Sequence, residues 1–142
     1  MKNMGLTGFI SLALAWTAAG AAEFDGSAPL ICASMEIIEC VPAGDCLRVT
    51  PEAVDAPQFI RIDFEANQIN TASAFGAGKT TPIERSETVD GKLILQGAED
   101  GVEGVRDGLG WSLAIAADTG KMVLTGSGDA VGFVIFGACT PL

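Results

Sequence analysis

IERSETVDGKLILQG, Ile83 to Gly97, sets two runs of alternating residues on either side of Asp90-Gly91. Asp-Gly supplies the two positive φ angles of a type I′ turn, so the stretch reads as a β-hairpin. Upstream, FIRIDFEANQINTASAF (Phe59–Phe75) alternates as clearly. Ile60, Ile62 and Phe64 share one face and Arg61 and Asp63 the other. EANQ turns the chain, and Ile69, Thr71, Ser73 and Phe75 form a returning strand. GAGKTTP between these two units reads as a loop. Downstream, WSLAIA, KMVLTG and AVGFVIFGAC give three more strands, punctuated by DTG and SGD. Trp111, Leu113 and Ile115 line one face; Val131, Phe133 and Ile135 line another.

Nearer the N-terminus, LICASMEIIECV (Leu30–Val41) fits a helix or a strand, and its bounding prolines, Pro29 and Pro42, favour the strand. On that reading Ile31, Ala33, Met35, Ile37 and Val41 share a face. CLRVT is a short strand. TPEAVDAP is one helical turn capped by Thr50, with Pro51 at its first position. The strands number about eight at roughly ten-residue spacing, with no long helical pattern, which is the signature of an antiparallel meander. A sheet of that size curls, and closure removes its exposed edges. The expected fold is therefore all-β, a small up-and-down barrel, with a β-sandwich as the alternative.

The first 22 residues stand apart. Lys2, an apolar run from Leu6 to Ala19, and the small residues Ala19 to Ala22 form a secretory signal peptide pattern, with cleavage after Ala21 or Ala22. The run is shorter than a bilayer span needs. Residues 23–142 then form one β-rich domain, and EFDGSAP at its start reads as a short tether. The expected location is the periplasm or outside the cell.

In such a compartment the four cysteines read as disulfides. Four cysteines allow three pairings, which sequence alone does not decide; the one ranked first joins Cys40 to Cys46 across the turn-forming VPAGD and Cys32 to Cys139, tying the first strand to the last. A zinc site is not expected: the chain has no histidine and no C-x-x-C pair.

The whole chain has 18 acidic and 8 basic residues, a net charge of −10; without Lys2 the 7 remaining basic residues leave −11. That balance excludes nucleic acid as a partner and disfavours an anionic membrane surface. It permits attraction to a cationic protein partner or to metal ions; a small apolar ligand held in the barrel is the other candidate partner. Gly78-Lys79-Thr80 matches only the end of a phosphate-binding loop, because Ser73 stands where that motif has glycine. Asp118-Thr119-Gly120 matches an aspartic-protease triplet but also suits a hairpin turn. Without histidine the usual base for nucleophilic catalysis is absent, so no catalytic residue and no cofactor are assigned. A hydrolase built on surface carboxylates is the enzymatic alternative.

The glycine-rich loop AEDGVEGVRDGLG, residues 98–110, carries Glu99, Asp100, Glu103 and Asp107, the candidate interaction residues. Long loops in compact domains are often functional. Calcium at these carboxylates is disfavoured, since their spacing is not that of a helix–loop–helix calcium site.

The block from Asp90 to Pro141, with its strands ending in GAC and the earlier EC…C, resembles the C-terminal half of small uncharacterised secreted proteins of proteobacteria. That resemblance implies no activity. The chain is also similar to periplasmic lysozyme inhibitors, small exported disulfide-tied barrels, which implies a cationic enzyme as partner. Their serine-glycine-tyrosine binding stretch is not found in a chain without tyrosine. The expected function is non-enzymatic binding. Roughly eight strands leave an interior either filled by side chains or able to hold one small ligand. A cavity of a few hundred Å3 would favour a small molecule, and a packed interior a protein partner at the 98–110 loop.

Overall fold

The computed structural model describes residues 24–72 and 78–142. The signal-peptide pattern lies outside them, as do Ser73 and Phe75 of the expected returning strand. Ten strands follow in order: β1 (Leu30–Cys40), β2 (Leu47–Val49), β3 (Phe59–Asp63), β4 (Gln68–Ala72), β5 (Thr80–Pro82), β6 (Arg85–Val89), β7 (Lys92–Glu99), β8 (Leu109–Ala116), β9 (Lys121–Ser127) and β10 (Gly132–Pro141). All pairings are antiparallel, along the path β5-β4-β3-β1-β10-β9-β8-β7-β6, with β2 beside the far half of β1. The fold is all-β, a small antiparallel barrel.

The two ends of that path are halves of one stretch of chain. β5 pairs with β4 and β6 with β7, and only Ile83 and Glu84 lie between them. The Ile83 N–H donates to the Asn67 carbonyl and the Glu84 N–H to the Gln96 carbonyl, so backbone pairing passes across the junction. Thr80–Pro82 is thus a strand, where the glycine and proline of GAGKTTP suggested only a loop. Pro82 has no N–H to donate and belongs on the edge of a ladder, which is where β5 lies.

The expected Asp90-Gly91 hairpin is β6–β7, in register from Arg85↔Gln96 to Val89↔Lys92. Asp90 and Gly91 both have positive φ, 48° and 71°, as a type I′ turn requires. β1 and β10 are neighbours along almost their whole length. Cys32 and Cys139 are direct register partners there and are disulfide-bonded; Cys40 is bonded to Cys46. The chain segments flanking this pair also meet, with the Leu142 N–H on the Pro29 carbonyl.

Three details differ from the sequence reading. Inside the barrel β1 presents Leu30 and Cys32, then Ile37, while Ile31, Ala33 and Met35 do not share a face with Ile37. A β-bulge between Ser34 and Glu36 leaves Met35 unpaired and 78 % exposed, and the extra residue exchanges inside for outside. Second, the supposed tether is partly core: Phe24 is buried, packed where a side chain on Gly120 would otherwise be. It plugs the end of the barrel where β1 begins. Third, the turn at Pro51–Ala53 is a 3-10 helix; Thr50 has the extended backbone of an N-cap, but its side chain makes no capping bond.

The buried interior is apolar but for one residue. Leu30, Ile37, Ile60, Ile62, Leu95, Leu113, Ile115 and Met122 are fully buried, and Thr81 is the one buried polar residue among those described. Burying a side chain of this size contributes about 1.5–3 kcal/mol.

Candidate functional site

The strand registers stack the inward residues in rows across β7, β8, β9 and β10. One row runs Leu95–Leu113–Leu124–Ile135. The next, toward the end opposite Phe24, runs Gly97–Trp111–Gly126–Phe133. Two glycines stand in that row, and Gly126 lines a void that a side chain there would fill. A cavity of about 690 Å3 opens there. Its inner wall is Ile60, Ile69, Leu113, Leu124 and Ile135, with Trp111, Leu109 and Phe133 closer to the mouth.

The two glycines are not equivalent. A Cβ at Gly97 would lie 2.5 Å from the Trp111 ring and 2.6 Å from the Pro82 carbonyl oxygen, so Gly97 is the seat on which the indole rests. A Cβ at Gly126 would meet Leu109 at 3.4 Å and Phe133 at 3.9 Å, ordinary contact. Gly126 therefore leaves open a volume that a larger residue would fill. Trp111 Nε1 is buried and has no hydrogen-bond partner, alone in this among the buried side-chain nitrogens and oxygens described.

The mouth is made by segments between strands: Val54–Pro57 before β3, Lys79 before β5, Arg106–Gly108 before β8 and Gly128–Val131 before β10. Six charged residues line it. Lys79 Nζ donates to Glu99 Oε1 at 2.8 Å, and Arg106 pairs with Asp129 at 3.2 Å. Asp107 Oδ1 accepts the Val102 N–H at 2.8 Å, and Asp55 has no ion pair among the described residues. The hydrogen bond to Glu99 raises the Lys79 pKa above 10.5; burial opposes this, and the charges of Glu99, Asp55 and Asp107 reinforce it. Lys79 and Glu99 also line a shallower polar groove of about 460 Å3 between β5 and the end of β7. Their ion pair is the partition between groove and cavity.

The four acidic residues of the expected interaction loop are thus divided. Glu99 belongs to β7 and Asp107 to the cavity wall, while Asp100 lines only the side groove. Glu103 lies at the exposed tip. The loop itself is shorter than 98–110, because β7 runs to Glu99 and β8 begins at Leu109. Lys79, set aside as part of an incomplete phosphate loop, is instead a rim residue. Nothing in GAGKTTP signals that role, which depends on β5 facing the end of β7. Asp118-Thr119-Gly120 is the β8–β9 turn, with the Gly120 N–H on the Ala116 carbonyl, at the end away from the cavity.

Among the described residues no three histidine, cysteine or acidic side chains converge as metal ligands, and no helix is long and apolar enough to cross a membrane. The chain matches no protein-family model, no curated protein and no solved structure.

Proposed function

We propose that this chain is an exported binding protein whose barrel holds one small, largely apolar molecule. The cavity carries the reading. Ligand sites are typically clefts of about 300–1,000 Å3, mainly apolar with a few polar groups at fixed points. A void of about 690 Å3 with aliphatic walls and a charged rim has that form. An apolar void of that size in a barrel whose other end is plugged is unexplained by stability, since empty space forfeits packing contacts. The signal-peptide pattern and two disulfides support an oxidising compartment. The competing version, a protein docked on the 98–110 loop, draws less support, because Glu99 and Asp107 are engaged at the cavity. A carboxylate hydrolase draws less support: of the rim carboxylates, Glu99 and Asp129 are paired with cations and Asp107 accepts the Val102 N–H.

With the leader removed, Trp111 is the sole tryptophan, because the other is Trp16. It lines the cavity and so reports on it. N-phenyl-1-naphthylamine, an uncharged apolar dye, should bind saturably at one site and quench Trp111 by energy transfer. Gly126→Leu should fold and weaken the dye at least about tenfold, a loss of 1.4 kcal/mol in affinity. Absence of saturable binding, or unchanged affinity in a folded Gly126→Leu protein, would refute the proposal.

A further inference from the structure

The rim determines which charge an occupant can carry. Both of its cations are already spoken for: Lys79 by Glu99 at 2.8 Å and Arg106 by Asp129 at 3.2 Å. To receive a carboxylate, Lys79 would have to exchange its bond to Glu99 for one to the ligand, and the 27 % exposed Glu99 carboxylate would then face the new anion. Asp55 and Asp107 remain, both lining the mouth and neither neutralised by a cation among the described residues. Ser73 to Ala77, which are not among the described residues, carry no charge in the sequence. Two cations against four carboxylates give the rim a net negative charge. The upward shift of the Lys79 pKa, to which Asp55 and Asp107 both contribute, places these two carboxylates within electrostatic reach of the same point.

Resting on the proposal that the cavity binds apolar molecules, we infer that it selects those whose apolar body ends in a cationic head, a protonated amine or a quaternary ammonium, and rejects carboxylates of the same body. The apolar part lies against Leu113, Leu124 and Ile135. The head stays at the mouth, where Asp55 and Asp107 face it across a rim that offers an anion no free partner. It disfavours fatty acids as the occupant.

Decylamine, decanol and decanoate share one body and differ in head. Each would be titrated below its micellar concentration, at pH 7.5, against N-phenyl-1-naphthylamine held in the cavity. The expected order is amine, then alcohol, then carboxylate, with about tenfold or more between first and last, and a narrower gap at 0.5 M NaCl as screening sets in. In Asp55→Asn/Asp107→Asn the gap should shrink to about threefold or less. Asparagine tolerates the positive φ of residue 55, 49°, and retains an oxygen to accept the Val102 N–H. The distal pair Glu87→Gln/Asp90→Asn removes as much charge from the opposite end and should leave the gap intact. Equal affinities for all three heads, tightest binding of decanoate, or collapse of the gap in the distal variant would overturn the inference while leaving the cavity proposal standing. Failure of every member to displace the dye, or of the dye to bind, would overturn both.

Discussion

Replacing Cys32 and Cys139 together by alanine should destabilise the barrel far more than the same change at Cys40 and Cys46. The two bonds close loops of very different span, 107 residues against 6. In the chain-entropy treatment the lost constraint on the unfolded chain is about 4.8 kcal/mol for the long loop and about 2.2 kcal/mol for the short one at 25 °C. Packing widens the gap. Cys32 and Cys139 are both buried, so their sulfurs leave space behind, whereas Cys46 is exposed. The long-range bond therefore contributes an amount comparable with the whole stability of an ordinary domain, about 5–15 kcal/mol. Urea unfolding of the two double variants, followed by Trp111 fluorescence, gives both values. If the Cys32→Ala/Cys139→Ala protein lay within about 1 kcal/mol of wild type, or was the more stable of the two variants, the reasoning would fail. The unfolded chain would then already hold its first and last strands together.

Other outcomes follow from single contacts. Gly97→Ala should cost several kcal/mol, since its Cβ has no room against Trp111 and the Pro82 carbonyl, while Gly126→Ala should lie within about 1 kcal/mol of wild type; thermal melts of the pair decide it. Phe24→Ala should lose about 3–5 kcal/mol, the usual range for a buried aromatic, measured by denaturant midpoint. Trp111→Phe should fall at the low end of core substitutions, because the indole N–H it removes has no partner to orphan. Lys79→Met should cost about 0.2–1 kcal/mol, as expected of a half-exposed ion pair. A raised lysine pKa stabilises the fold fully below 10.5 and less as pH climbs through the folded value, so the difference from wild type should be flat from pH 6 to 9 and vanish in strong alkali.

Where local chemistry determines geometry, the sequence was enough. Asp90-Gly91 could hardly be anything but a tight turn, and the six-residue spacing of Cys40 and Cys46 around Pro42 and Gly44 made their bond local. With that local bond ranked first, Cys32 and Cys139 were left for each other, which their register in β1 and β10 then shows. The side of β1 that faces inward was not legible, because Ile31, Ala33, Met35 and Ile38 make its outer face nearly as apolar as its inner one. The one outward polar residue nearby, Glu36, lies just past the bulge, and nothing in the sequence reveals that Met35 is the extra residue. Phe24 is a lone aromatic among glycine, serine and proline, and one residue has no period. The cavity was the least accessible feature. It depends on Gly97 and Gly126 falling in one row with Trp111, which requires the registers of three strands at once. Lys79 and Glu99, twenty positions apart, come together only when β5 meets the end of β7.

The bond between Leu142 and Pro29 places both flanks of the domain at the plugged end of the barrel, a full strand length from the mouth. Whatever is appended at either side, a tag, a surface tether or a second module, hangs behind the cup and leaves its opening clear. The same proximity means that a few residues of glycine and serine would bridge the gap. The chain could then be reopened at the exposed tip near Glu103, giving a permuted version whose new ends stand at the mouth.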